Sequence, residues 1–74
     1  MPRTISIVSP KQGHDLDSTL QEALMILRSD GVQVEAAVQS THSEGLLAAT
    51  ILLSYLDDRS RALRILANAG IEVR

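Results

Sequence analysis

The residues able to do chemistry gather in one short stretch, Ser9-Pro10-Lys11-Gln12-Gly13-His14-Asp15-Leu16-Asp17-Ser18. Its types fit a metal centre built from His14, Asp15 and Asp17, or an anion cradle on the free amides of a helix start. Neither has the spacing or charge it needs. Three ligands so close in sequence seldom complete a tetrahedral or octahedral shell alone, and a dianion would be repelled by two aspartates that also occupy the donor amides. A second group, His42-Ser43-Glu44, invites a hydrolase reading, but adjacent residues do not face one another as nucleophile and base, and no Gly-flanked serine supplies an oxyanion motif. A metal-dependent enzyme using both His14 and His42 would require the two to meet in space. No catalytic residue, metal or cofactor is therefore expected, and the chain does not read as an enzyme. The plainer duties are structural: Pro10 and Gly13 make turns, Asp15 or Asp17 caps the helix that follows, and Thr19 with Glu22 fits a capping box.

The elements that must position this stretch emerge from an internal repeat. Glu22 to Glu35, EALMILRSDGVQVE, aligns without gaps on Arg61 to Arg74, RALRILANAGIEVR, with Ala23/Ala62, Leu24/Leu63, Ile26/Ile65, Leu27/Leu66, Gly31/Gly70 and Val34/Val73 identical. Each copy reads as a helix end, a glycine in the left-handed C′ position, and a strand whose first apolar residue folds back on the last turn. The first helix, residues 16 to 29, stacks Leu16, Leu20, Ala23, Leu24 and Leu27 on one stripe, with Asp17, Gln21, Arg28 and Ser29 away from it and Met25 nearly opposite. The second begins near Asp57 as N-cap and packs Ala62, Leu63, Leu66 and Ala69 inward; Arg59, Arg61 and Arg64, beside Asp57 and Asp58, form a solvated face rather than an anion patch.

Thr4 to Val8 reads as a first strand with Ile5 and Ile7 on one face. After Gly31, the set Val32, Val34, Ala36 and Val38 alternates with Gln33, Glu35, Ala37 and Gln39, so a sheet apolar on the first set and wet on the second is expected. The continuous apolar run of residues 46 to 54 is open to helix by its Leu and Ala content, yet the repeat requires a strand there. The order is then βαββαβ, an α+β ferredoxin-like fold with a four-stranded antiparallel sheet and two helices on one face.

Bulk properties narrow the partners. The 74 residues form one expected domain, 1–74, with a small aliphatic core, since 45% are hydrophobic and only 1% aromatic. A net charge of −2 from seven basic and nine acidic residues lacks the positive field that nucleic acid requires. The absence of cysteine excludes disulfides and thiolate chemistry and fits a cytoplasmic location. Met1-Pro2-Arg3-Thr4 has no signal-peptide core, and Leu46 to Leu56 is too short to span a bilayer, so no membrane partner is expected. In the expected sheet the third strand is central, and either Leu47/Ala49/Ile51/Leu53 or Leu46/Ala48/Thr50/Leu52 must lie on the face that the helices leave open. An apolar surface there is unusual for a monomer; a homo-oligomer, dimeric or larger, is expected.

The chain resembles an ACT domain over nearly its whole length, on the pattern TISIVSP, LDSTLQEALMILRSDGVQVEAAVQS, GLLAATILLSYL and DDRSRALRILANAGIEV. That resemblance implies a small regulatory module that pairs with copies of itself and binds an amino acid or similar polar metabolite at the loop after the first strand, here Pro10, Lys11, Gln12, Gly13, His14 and Asp15. Family members commonly have adjacent Pro and Gly in this loop; here Lys11-Gln12 separates them. The alternative is a ligand-free module that dimerises or docks on a partner enzyme.

Overall fold

A computed structural model describes residues 3–41 and 47–74. Along the chain run β1 (Thr4–Ile7), α1 (Leu16–Ser29), β2 (Val34–Thr41), β3 (Leu47–Leu53), a 3₁₀ turn (Leu56–Asp58) and α2 (Arg59–Asn68). The apolar run that could have been helix or strand is a strand, and it is central: the sheet order is β1-β3-β2 and both pairings are antiparallel. Both helices cover one face, where Ile5, Ile7, Ala49, Ile51 and Leu53 meet Leu16, Leu20, Ala23, Leu24 and Leu27 of α1 and Ala62 and Leu66 of α2. The result is a small α+β domain, compatible with a ferredoxin-like arrangement.

The helix stripe expected for α1 is buried throughout, while Met25 is 67% exposed. Both helices end in the same closure. Gly31, at φ +80°, donates its N–H to Arg28 and Val32 donates to Leu27; Gly70, at φ +82°, donates to Ala67 and Ile71 to Leu66. This 6→1 plus 5→2 pattern satisfies the terminal carbonyls of each helix, and the buried Val32 and Ile71 fold back on Leu27 and Leu66. The repeat in the sequence is thus a repeat of helix endings.

Four expectations are corrected. Among the described residues the sheet has three strands, not four. Ile71 closes α2 and the Glu72 side chain turns to Ser9, so only Val73 and Arg74 lie along β1, as a single Ile7–Val73 bridge with Ser6 and Arg74 exchanging two hydrogen bonds of 2.8 Å. In β2, a register shift between Val34 and Ala36 breaks the simple alternation. Val34 and Ala37 pack against the core, while Ala36 and Val38 turn to the open face; one extra residue in a strand reverses every side chain beyond it. The second helix starts later than Asp57, after the 3₁₀ turn, and its N-cap residue Asp58 makes no side-chain cap bond. Asp58 instead pairs with Arg61 at 3.4 Å, and Arg59, expected in water, donates Nε to the Thr4 carbonyl at 3.0 Å.

The glycine closures give a direct test. Nothing lies within 4 Å of where a Cβ at Gly31 would sit, so Gly31→Ala costs only the left-handed strain, about 1–2 kcal/mol, measured by chemical denaturation. An unchanged midpoint would show that α1 does not end this way.

Candidate functional site

Loop residues 8–15 form a clasp between α1 and the turn after α2. Ser9 and Lys11 anchor it. The Lys11 amide donates to Thr19 Oγ1 at 2.9 Å, and its ammonium reaches both oxygens of Glu22 at 3.2 and 3.3 Å. Ser9 Oγ donates to Glu72 Oε2 at 2.7 Å. A Cβ on Gly70 would meet Lys11 Cε at 3.9 Å, which places the lysine stem beside the α2 closure. Past Lys11 the chain turns through Gly13, at φ +84°, with the His14 amide donating to the Lys11 carbonyl at 2.9 Å.

Of the expected ligand residues, Lys11 is half-buried and Pro10, Gln12, Gly13, His14 and Asp15 are exposed. The structure brings them into one turn but not around a cavity; none opens among the described residues. Nor does any group of three metal-ligating side chains occur among them. His42, Ser43 and Glu44 lie outside the described residues, so the pairing of His14 with His42 does too.

Asp15 is the N-cap of α1. Its Oδ1 accepts from the Ser18 amide at 2.7 Å, as the capping reading expected. The Ser18 amide, then its hydroxyl, and further the nearby His14 charge hold the Asp15 carboxyl below the usual aspartate value of 3.8. Asp17 has a different duty, accepting from Gln39 Nε2 at 3.0 Å and so tying the first turn of α1 to β2.

Thr19 and Glu22 do not form a capping box. Thr19 is 1% exposed, donates Oγ1 to the Asp15 carbonyl at 2.8 Å and accepts from Lys11, while Glu22 holds the lysine. The signal for this lay in the helix stripe: position 19 falls between Leu16 and Ala23 on the buried face, where a hydroxyl must find partners. Every buried side-chain polar atom among the described residues has one.

The remaining surface of interest is the sheet face that the helices leave open. Of the two alternating sets on β3, Ala48, Thr50 and Leu52 are on this face, opposite in direction to the core residues Ala49, Ile51 and Leu53. Thr4 and Ser6 flank them on β1, Ala36 and Val38 on β2. None of these seven residues is charged, and Val38 is 59% exposed. No helix among the described residues is long and apolar enough to cross a membrane.

No protein-family model and no curated protein matches the chain. The class is therefore defined by the fold alone: a small α+β domain with a three-stranded antiparallel sheet and two helices.

Two measurements test the clasp. Thr19→Val strands the Lys11 amide and the Asp15 carbonyl interaction in a buried site and should cost about 1–3 kcal/mol, whereas Lys11→Met removes a half-exposed ion pair and should cost no more than about 1 kcal/mol; equal losses by urea titration would overturn this ranking. For Asp15, a lowered folded pKa means stability that is present above 3.8 and is lost as pH falls through the folded value. The melting temperature of the wild type should exceed that of Asp15→Asn near neutral pH, and the gap should close in acid below the folded pKa; a gap independent of pH would contradict the cap.

Proposed function

We propose that the chain is a small regulatory or binding domain, similar to ACT domains, that works as a homo-oligomer with its sheet meeting a second copy. One observation carries this reading: the open face runs across all three strands through Thr4, Ser6, Ala36, Val38, Thr50 and Leu52 without a charge. Covering a few hundred Å² of apolar surface at ~25 cal/mol per Å² contributes several kcal/mol, comparable with the whole stability of a domain this small. The pairing of Val73 and Arg74 with Ile7 and Ser6 supports the same family likeness, since it is where the fourth strand of a ferredoxin-like sheet would run.

A second reading adds a ligand. Lys11 is anchored, yet Gln12, Gly13 and His14 remain exposed on a fixed turn before α1, a shape that offers amide and imidazole groups to an amino acid at the rim of an assembly. The alternative without ligand is docking on a larger partner enzyme through the same sheet face.

Sedimentation equilibrium at micromolar concentration is expected to give at least a dimer mass; a stable monomer would remove the oligomeric reading. Thermal-shift measurements against the common amino acids then separate sensing from pure interaction. Stabilisation by one of them supports the loop as a ligand site, and no shift with any leaves the interaction domain alone.

A further inference from the structure

The segment after α2 lies along β1 in a register that stops one step short. Ser6 and Arg74 exchange two backbone hydrogen bonds of 2.8 Å, and Ile7 stands opposite Val73 as a bridge. In an antiparallel ladder hydrogen-bonded and non-hydrogen-bonded pairs alternate, so the next bonded pair in this register is Val8 with Glu72. No backbone hydrogen bond joins these two. The Ser9 hydroxyl donates to Glu72 Oε2 at 2.7 Å instead, a side-chain contact standing where the backbone rung would be.

The segment is held unevenly along its length. At its base the Ile71 amide donates to the Leu66 carbonyl at 3.0 Å and the side chain is buried, so this residue belongs to the helix closure. Beyond it, Glu72 and Arg74 are exposed and Val73 is only partly buried against the core. Three residues are thus tied at one end by the Ser6 pair and at the other by one side-chain bond. Few buried apolar contacts and solvent-exposed hydrogen bonds are what let a segment open while the rest of a domain stays folded. The groups that this segment covers are the N–H and C=O of Ser6; the Thr4 carbonyl is covered separately, by Arg59 at the start of α2.

We infer that residues 72–74 form a strap that lifts from the β1 edge as a unit, hinged after Ile71 and latched by the Ser9–Glu72 bond. Its opening uncovers the Ser6 N–H and C=O while β3 and both helices stay in place. The latch puts that exposure under the control of the loop that carries Ser9. This loop is fastened independently to α1, through the Lys11 amide on Thr19 and the Lys11 ammonium on Glu22, so Ser9 keeps its position when the strap leaves. The device works within one copy and stands apart from the homo-oligomeric reading.

Residue-resolved amide exchange on the full chain, at one protein concentration, tests the strap and its latch. In the wild type, Ser6 and Arg74 should show equal protection, lower than that of Ile71 and Ile51 and insensitive to low urea, the mark of a local opening. Ser9→Ala should lower the protection of both amides about three- to tenfold. Ser9→Asp, which sets a carboxylate against Glu72, should lower it further, and Ser9→Asp combined with Glu72→Lys should restore it. Ser6 and Arg74 as protected as Ile51, with the same urea dependence, would overturn the strap. Ser9 variants that leave both amides unchanged, or a Ser9→Asp loss that Glu72→Lys does not repair, would overturn the latch.

Discussion

The pairing of β3 with both neighbours is the interaction on which everything else in this domain depends. Ile51 sits between Ile5 and Ala37 in register, and that register sends Ala49, Ile51 and Leu53 to the helices and Thr50 and Leu52 to the open face. A slip of one residue would exchange the two sets, bury Thr50 and expose Ile51. The helices could then no longer close over an aliphatic face, and the clasp that spans α1 and the α2 turn would lose both its supports. In a core with no large aromatic ring, fit rather than bulk holds the elements together, and the small Ala23, Ala49 and Ala62, all fully buried, let helix and strand backbones approach closely.

Much of this was legible in the sequence because the physics involved is local. The α1 stripe, the two glycine closures and the exposure of Met25 follow from spacing within one or two turns, and the repeat of Gly31 and Gly70 marked both helix endings. What stayed hidden depends on contacts between distant segments. The bulge at Val34/Ala36 is set by pairing with Leu53 and Leu52, which the residues of β2 alone cannot reveal; their alternation by itself puts Ala37 on the wet face and Ala36 and Val38 on the buried one. Thr19 and Glu22 satisfy a local capping pattern, but Asp15 already caps the helix and both side chains serve Lys11 instead. The expected fourth strand is reduced to a single bridge among the described residues for a related reason: Ile71 is committed to the helix closure.

The loop that concentrates the chemically versatile residues owes its composition largely to architecture. Lys11 is held twice by α1, Ser9 by Glu72, and Asp15 by Ser18, which leaves the side chains of Gln12 and His14 without a hydrogen bond among the described residues. The two edges of the sheet differ: β1 is met by Arg59 and Arg74, whereas Ala37 and Gln39 on β2 meet no backbone partner among the described residues.

Amide hydrogen exchange resolved by residue tests the β3-centred register most directly. Ile51 and Leu53, directed to β1, and Thr50 and Leu52, directed to β2, should be the slowest amides of the sheet at every concentration. Ala37 and Gln39 should exchange quickly in dilute protein. Fast exchange at alternate positions of β3, or strong protection of Ala37 and Gln39 in dilute protein, would contradict it.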